Sequence, residues 1–406
     1  MHYDVIIAGA GPAGAATAAR LVQRRGRPDR VLVLDRYRFP RDKPCGGGLT
    51  GHADQVMAEL DLALDVPHWP SPTARVRFGR FERTVTLGSP VNVVRREEYD
   101  ASLVMQVRAR GVEVVEGEGV VEIASGQDAV RVKTSRGREL SADVLVGADG
   151  APSVVRKHLV GDKAIPHRLF KMELDLPGGA EVDPSMVYDF TPMHRGLRGY
   201  LWIFPVPGRR LNVGLMHYPA SRKGGRELTG MLREGLADHG IELPARGARG
   251  WPVWGFHPRA RVSAPRILTV GDAAGIDALT GEGIAVAMEQ AVVAGDMIDE
   301  AFSRRNFAFR GYRRRLCRAV VGRELELDRW LARLLYGSRW WRDWLSLVLY
   351  DPDVLEMYAA RVAGTEVLAD QKLRLYGALA RHVAKWPGRR ASLAAAVPRE
   401  AGRLAA

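Results

Sequence analysis

Three glycines near the start of the chain have the spacing of a phosphate-binding loop. Gly9, Gly11 and Gly14 follow the apolar residues 5–8, open an alanine-rich stretch of helical spacing, and precede an acid at Asp35. Glycines so placed permit a tight turn, the approach of a pyrophosphate to N–H groups at the positive end of a helix, and close packing of helix on strand. The acid can accept a ribose hydroxyl. The loop therefore predicts a dinucleotide site, and its spacing does not distinguish NAD from FAD.

Three later elements carry residues that suit the same site. Arg96 opens the segment Arg-Glu-Glu-Tyr-Asp, which fits an RxxFD-like element. Asp149 follows an apolar run of the parallel-strand type, and so do Gly271 and Asp272. These elements, rather than the glycine spacing, decide which dinucleotide is bound.

The apolar runs also predict the elements that position these residues. Buried parallel-type strands occur at the start, near residue 144 and near residue 267, with antiparallel-looking strands between them and an arginine-rich helical region after them. The fold class is thus mixed α/β and α+β, a nucleotide domain interrupted by an antiparallel-sheet substrate domain. The predicted bounds are 1–75, 95–160 and 262–303 for the nucleotide domain, 76–94 and 161–261 for the substrate domain, 304–390 for the helical C-terminal region, and 391–406 for a disordered tail.

Composition narrows the class of protein. An apolar fraction of 46% and a charged fraction of 26% are those of an ordinary globular protein. The two cysteines, Cys45 and Cys317, lie too far apart for a CxxC metal or redox pair and are too few for a disulfide framework. We therefore expect a reducing compartment and no metal.

The net charge of +13 is carried mainly by arginine. Since no zinc finger, RNP motif or long basic arm accompanies it, an arginine-rich solvated surface is a better interpretation than nucleic-acid binding. No signal peptide precedes the first strand, and no apolar run approaches the roughly 20 residues of a membrane-spanning helix. These features predict a cytoplasmic protein, and they leave open a peripheral contact with a membrane.

In this order the elements resemble the FAD-binding family with the para-hydroxybenzoate-hydroxylase-type fold, over residues 1–300. The resemblance implies FAD, with Asp272 on the ribityl chain, Arg96 in contact with the cofactor and Asp149 beside it. It also implies that the helix after residues 279–283 points its positive end at the flavin pyrimidine, where it stabilises anionic reduced flavin. The predicted cofactor-binding residues are Gly9, Gly11, Ala13, Gly14, Asp35, Arg36, Cys45, Gly46, Gly47, Arg96, Asp149, Gly271, Asp272, Gly281, Gly283 and Ile284.

Two further motifs resemble the narrower geranylgeranyl reductase family, whose members reduce carbon–carbon double bonds of polyprenyl chains. The segment 39–49 contains Pro-Cys-Gly-Gly-Gly, and the segment 199–205 contains a YxWxFP element. The resemblance implies that the first motif lies beside the flavin, with Cys45 as a candidate catalytic proton donor or positioning group. It implies that the second motif lines the substrate cavity. The predicted substrate-binding residues are Gly48, Tyr200, Trp202 and Phe204.

Each of these assignments has a structural alternative. Cys45 could be only a small residue that fits a tight loop. The three aromatic residues alternate along one strand, so packing against the second sheet explains them as well as a cavity does. The tryptophan-rich segment 330–345 suits either an interfacial helix or a helix that closes the cavity from inside, and we favour the second interpretation slightly.

The leading functional hypothesis is a flavin-dependent reductase that saturates double bonds of a prenyl or similar lipophilic substrate. The alternative is a monooxygenase or halogenase acting on an aromatic or polyketide-type metabolite, although halogenases typically have WxWxIP where this chain has Tyr-Leu-Trp-Ile-Phe-Pro. A third hypothesis is a membrane-associated flavoprotein that passes electrons to quinones. Because no second GxGxxG follows a strand, the reductant stays open between NAD(P)H and ferredoxin or another electron-donor protein.

Overall fold

Two sheets and a group of C-terminal helices make up the part of the chain that the structure describes. The structure is a computed structural model that describes residues 1–160, 167–175, 182–218, 224–244, 248–277 and 279–384. The predicted disordered tail, residues 391–406, lies outside these ranges.

The elements follow one another along the chain as follows. The strands are β1 (His2–Ala8), β2 (Val31–Asp35), β3 (Gly48–Leu49), β4 (His68–Phe78), β5 (Phe81–Val94), β6 (Glu113–Glu116), β7 (Val120–Ser125), β8 (Val130–Thr134), β9 (Glu139–Gly147), β10 (His167–Asp175), β11 (Met186–Asp189), β12 (Gly199–Val206), β13 (Arg210–His217), β14 (Arg249–Val253), β15 (Ser263–Ala264) and β16 (Ile267–Thr269). The α-helices are α1 (Pro12–Arg25), α2 (Gly51–Glu59), α3 (Arg96–Ala109), α4 (Val154–Val160), α5 (Gly225–Ala237), α6 (Ile284–Ser303), α7 (Tyr312–Arg318), α8 (Val320–Ala332), α9 (Trp341–Tyr350), α10 (Pro352–Val362) and α11 (Lys372–Ala384).

The first sheet is the predicted nucleotide-binding sheet. Its strands run in the order β15-β16-β9-β1-β2-β6, with parallel pairing from β16 to β6, and the β7–β8 hairpin joins at β9. Ile6 of β1 pairs with Leu32 of β2 and Leu145 of β9. These strands read as continuous apolar runs because both faces of the sheet are covered, one of them by α1, α3 and α6. The three parallel-type runs predicted from the sequence therefore meet in one sheet.

The second sheet is mostly antiparallel, in the order β14-β10-β13-β12-β11-β4-β5-β3. Its two faces differ because side chains alternate along each strand. Tyr200, Trp202 and Phe204 of β12 face the C-terminal helices, whereas Leu201 and Ile203 face α5. The shared face predicted for the three aromatic residues is therefore present.

The second sheet also takes chain that the sequence pattern assigned to the nucleotide domain. β4 begins at His68, and Gly48 and Leu49 pair with β5. The bounds predicted at 75 and 76 thus fall inside one strand, so residues 68–75 belong with the second sheet. Alternation in β4 is masked by two prolines and by exposure of the strand's first half, which explains why the pattern placed its start too late.

The C-terminal helices cover the aromatic face of the second sheet. Tyr336 and Trp341 are buried against it, while Trp330 and Trp340 remain 41% and 40% exposed. The segment 330–345 therefore packs on the inner face of the second sheet, which agrees with the interpretation favoured above. Two of its tryptophans remain at the surface. No helix in the described ranges has the length and apolar character needed to cross a bilayer.

Candidate active site

A cavity of about 470 Å³ opens at the carboxyl ends of β1, β2 and β9, beside the first turn of α1. This is the edge at which parallel sheets bind dinucleotides. The predicted cofactor residues that line it are Gly9, Gly11, Ala13, Asp35, Arg36, Cys45, Arg96, Asp149, Asp272, Gly281, Gly283 and Ile284. The four other predicted cofactor residues lie behind this wall and shape it without lining the cavity. They are Gly14, Gly46, Gly47 and Gly271.

The glycine loop fits a pyrophosphate by its lack of side chains. A Cβ on Gly9, whose φ is +103°, would lie 2.3 Å from the carbonyl oxygen of Ala148, and one on Gly14 would lie 1.8 Å from that of Gly9. Gly11 is the residue before α1, and no side chain in the described part of the chain accepts a hydrogen bond from the first N–H groups of this helix. Uncapped N–H groups at the positive end of a helix bind phosphate. The residues present therefore fit FAD.

Asp35 helps to build the loop as well as to line the cavity. Its carboxylate accepts hydrogen bonds from the backbone N–H groups of Ala10 and Tyr37, both at 2.8 Å. Each carboxylate oxygen has a second lone pair. The side chain can thus hold the glycine loop against the end of β2 and still accept a ribose hydroxyl.

Asp149 lines the cofactor cavity together with Gly150 and also caps a helix. Its carboxylate accepts hydrogen bonds from the hydroxyl of Ser153 at 2.5 Å and from the N–H of Val154 at 2.7 Å, which caps α4. Burial raises the pKa of Asp149 in spite of these bonds. The helix cap therefore holds Asp149 at the cavity wall.

A buried charge network stands behind the cofactor cavity. Arg96 donates two hydrogen bonds to Asp100, both at 2.8 Å, and Arg41 lies 3.1 Å from the same carboxylate. Burial opposes the charge on Arg96, but Asp100 and the thiol of Cys45 raise its pKa. Burial likewise favours neutral Asp100, and Arg96 followed by Arg41 lowers its pKa. Two guanidinium groups are thereby held at the wall.

Two basic residues of this wall were not singled out from the sequence. A Cβ on Gly11 would lie 3.4 Å from Nη2 of Arg41, so this guanidinium stands at the start of α1, where a pyrophosphate would bind. Lys43 forms an ion pair with Asp272 at 2.8 Å across the cavity. The sequence could have indicated them, because both basic residues lie in the Arg-Asp-Lys-Pro segment directly before Cys45.

The Cys45 loop is held by Asn212 of β13 and by aromatic residues of β12, the strand with the YxWxFP element. Asn212 donates hydrogen bonds to the carbonyl oxygens of Cys45 and Gly46, at 2.8 and 3.0 Å, and accepts one from the indole N–H of Trp202 at 3.1 Å. A Cβ on Gly46 would lie 2.8 Å from the ring of Phe204. Trp202 and Phe204 therefore contact the loop, and neither lines the cofactor cavity or the apolar cavity described next.

This arrangement corrects part of the substrate assignment. Trp202 and Phe204 support the cysteine loop because the inner face of β12 lies directly under it. Gly48 belongs to β3, packed against Met186 and Val91. Tyr200 alone of the four predicted substrate residues lines an apolar cavity.

That second cavity, of about 160 Å³, lies between the second sheet and the C-terminal helices. Its wall is almost wholly aliphatic and aromatic. The residues that line it include Val76, Val85, Leu87, Met186, Tyr188, Phe190, Tyr200, Leu279, Thr280, Leu331, Leu335, Tyr336, Trp344, Leu347, Met357, Tyr358, Leu375 and Leu379. The segment 330–345, predicted to close the cavity, supplies part of the helical half of this wall. The remaining helical residues were not predicted, since apolar residues at helical spacing indicate a core just as well.

The two cavities meet at consecutive residues. Thr280 lines the apolar cavity and Gly281 lines the cofactor cavity. Tyr200 donates a hydrogen bond to the carbonyl oxygen of Thr280, and Tyr336 donates one to that of Leu279 at 2.8 Å. A Cβ on Gly281 would lie 3.3 Å from the sulfur of Met216, which also faces the cofactor cavity. A ligand in the apolar cavity would therefore lie beside the cofactor.

A short polar column reaches the apolar cavity at this junction. Tyr358 and Thr280 both line the cavity, and the Thr280 hydroxyl donates a hydrogen bond to Asp277, which is fully buried. Burial raises the pKa of Tyr358 well above its ordinary value, and nearby Arg361 opposes that rise. Arg361 itself binds Asp328 through two hydrogen bonds. A protonated hydroxyl thus faces an otherwise apolar wall.

Comparison with known proteins agrees with this site. Residues 2–304 match the FAD binding domain family. Menaquinone reductase of Mycolicibacterium smegmatis is 30% identical, over 73% of this chain and 76% of that protein. Digeranylgeranylglycerophospholipid reductase 2 of Methanothermobacter thermautotrophicus is 28% identical, over 74% and 79%.

Solved structures share the fold. A geranylgeranyl bacteriochlorophyll reductase-like protein from Thermoplasma acidophilum matches with a TM-score of 0.71 and 19% identity, covering 98% of this chain and 99% of that one. The halogenase PltM matches with a TM-score of 0.69 and 18% identity, covering 96% and 88%. At these identities the likeness concerns the fold alone, and it confirms the predicted fold class.

The fold and the site together define an FAD-dependent oxidoreductase of the para-hydroxybenzoate-hydroxylase-type fold, as the order of motifs predicted. Within that class the chain belongs to the FAD binding domain family, and the curated relatives it resembles include menaquinone and digeranylgeranylglycerophospholipid reductases.

Proposed function

We propose that this protein saturates carbon–carbon double bonds of a prenyl or similar lipophilic substrate. The observation that carries the proposal is the apolar cavity that meets the cofactor cavity at Thr280 and Gly281. Relatives named for the reduction of menaquinone and of digeranylgeranylglycerophospholipid support it. An apolar, unactivated alkene has no group that the protein can hydrogen-bond, so the protein has mainly to bury and orient it.

FAD, when bound, supplies the hydride equivalent that adds to one alkene carbon. We assign its diphosphate to the start of α1 with Arg41, and its ribityl chain to Asp272 beside Lys43. The side chains around the junction exclude water and hold the hydrocarbon against the cofactor cavity. Saturation also requires one proton at the second alkene carbon, which a positioned acid has to provide.

Two groups of this chain can provide that proton. The thiol of Cys45 lines the cofactor cavity and accepts a hydrogen bond from the N–H of Gly47 at 3.4 Å. Tyr358 lines the apolar cavity, as does Thr280 at the junction with the cofactor cavity. We keep Cys45 as the proposed donor, since it stands on the cofactor side, and Tyr358 is the second candidate.

A monooxygenase or halogenase is the competing function, because relatives of that kind share the fold. The chemistry of the apolar cavity argues against it. Its wall is almost wholly aliphatic and aromatic, so it offers few partners to the polar groups of an aromatic or polyketide-type metabolite. A hydrocarbon chain needs no such partners.

The test is to incubate reduced, FAD-loaded protein without oxygen with a geranylgeranyl lipid and with menaquinone, and to measure the product masses after exposure to air, which returns a quinol to the quinone and leaves a saturated bond unchanged. A gain of one hydrogen pair for each saturated bond is the expected result. The proposal fails if neither compound gains hydrogen while an aromatic substrate gains oxygen in air.

A further inference from the structure

The last helix that the structure describes, α11, has an apolar outer face. Leu373, Tyr376 and Val383 are 87%, 57% and 53% exposed. Their spacing along the helix places them on one side of it. Exposed apolar residues scattered singly need no explanation, but three on one face of a short helix indicate a contact surface.

The inner face of the same helix belongs to the apolar cavity. Leu375 and Ala378 are buried, and Leu375 and Leu379 line the cavity wall. One helix thus separates the cavity from the outside and is apolar on both sides. The inner face of α11 is therefore part of the wall of the proposed substrate site.

Basic residues flank the outer face. Lys372 stands on one side, and Arg374 and Arg381 on the other, each arginine paired with an acid of α10. The whole chain carries a net charge of +13. The two arginines are neutralised by their acids, so Lys372 and the net charge of the chain are what favour anionic lipid. An apolar stripe on a protein of net positive charge suits a helix that lies in the headgroup region of an anionic bilayer.

We propose that the outer face of α11 docks the protein on the surface of an anionic lipid bilayer, with Leu373, Tyr376 and Val383 inserted among the lipids. The inference rests on the proposed function for its purpose, because a lipophilic substrate would pass from the bilayer into a cavity one helix away. Its physical basis, the apolar face on a protein of net positive charge, is independent of that function.

The experiment measures sedimentation of the full-length, FAD-loaded protein with vesicles of equal parts phosphatidylglycerol and phosphatidylcholine, and with vesicles of phosphatidylcholine alone. The test variant is Leu373→Ser/Tyr376→Ser/Val383→Ser. The matched control is Met105→Ser, which alters an apolar side chain that is 62% exposed and far from α11 in sequence. None of these four side chains lines either cavity described above.

We expect the unaltered protein and the control to bind the anionic vesicles, more weakly at higher salt, and to bind phosphatidylcholine less. The test variant should bind at least about tenfold more weakly, because three apolar side chains that insert among the lipids are replaced by polar ones. Its FAD content and its turnover of a substrate dispersed in detergent should equal those of the control.

Several results would overturn the proposal. It fails if the unaltered protein ignores anionic vesicles, or if the α11 variant binds as well as the control. It also fails if Trp330→Ser/Trp340→Ser abolishes vesicle binding and the α11 variant does not. It fails as well if light scattering shows that the unaltered protein is a dimer and the α11 variant a monomer, because the face would then bind a second copy of the chain. Vesicle binding needs neither substrate nor reductant, so the proposed reaction can fail while this inference stands, and the reverse.

Discussion

At the scale of single residues, two side chains on opposite sides of the junction are candidates to donate the proton that saturation needs. Cys45 faces the cofactor cavity and Tyr358 faces the apolar cavity. Each can be altered without removing a residue that we assign to FAD phosphates. The pair of single variants therefore locates the donor.

We predict that Cys45→Ser lowers turnover by about 100-fold, within the range for loss of a general acid, because a serine hydroxyl is a much weaker acid than a thiol. The flavin absorbance of the purified variant should equal that of the unaltered protein. Tyr358→Phe should change turnover far less.

The reverse pattern would move the proton donor to Tyr358. If Cys45→Ser keeps full turnover and Tyr358→Phe loses it, the thiol is only a small residue that fits its loop. Tyr312→Phe is the control for removing a buried hydroxyl, because Tyr312 bonds the carbonyl oxygen of Thr269 away from both cavities.

At the scale of elements, the contact of α1 with β1 forms the cofactor cavity. Because a Cβ on Gly14 would lie 1.8 Å from the carbonyl oxygen of Gly9, Gly14→Ala has to push the helix off the strand. We predict a loss of about 1–3 kcal/mol or more in the free energy of unfolding, and release of FAD, seen as a rise in free-flavin fluorescence.

A glycine of another helix is the matched control. Gly230 in α5 has no atom within 4 Å of the position where its Cβ would stand. Gly230→Ala should therefore stabilise the protein by about 0.4–1 kcal/mol and leave FAD bound. Equal flavin release by both variants would contradict the role given to the glycine loop.

The packing of α2 against α6 predicts a dependence of stability on pH. His52 of α2 lies 2.8 Å from Glu289 of α6. Burial lowers the pKa of His52, but Glu289 and Glu282 outweigh it and raise the pKa above the ordinary value, against Arg361. A histidine whose pKa is higher in the folded state stabilises that state most below its unfolded value, about 6.5, and this gain is lost as pH rises through the folded value.

His52→Gln should thus cost more free energy of unfolding at about pH 6 than at about pH 9. Urea unfolding at the two pH values measures the difference, with His158→Gln, at an exposed position of α4, as the control. A cost that is the same at both pH values would show that the ion pair contributes no pH-dependent stability.

At the scale of the whole molecule, the sequence predicted the half of the site that is built from local motifs. The glycine loop, Arg96 and Asp272 each follow a strand end or open a helix, and a parallel sheet brings such ends together. The Cys45 loop was also placed correctly at this cavity. Trp202 and Phe204 were assigned to substrate because the pattern gives the face of a strand and not what covers that face.

Most of the other half could not be predicted from local pattern. The apolar cavity joins Thr280 to Tyr336 and Tyr358, which come from segments more than fifty residues further along the chain. An apolar residue at helical spacing has the same pattern whether it fills a core or lines a cavity. The tryptophan-rich segment 330–345 was the feature from which a helix closing the cavity was predicted, and it does supply residues to this wall.

The most direct test of the central claim is an anaerobic titration of the reduced, FAD-loaded protein with a geranylgeranyl lipid, followed by the absorbance of oxidised flavin. A reductase of double bonds should recover that absorbance without oxygen, one flavin for each bond saturated. If the absorbance stays low with the lipid and with menaquinone, and returns only when oxygen is admitted, the protein is not a prenyl reductase.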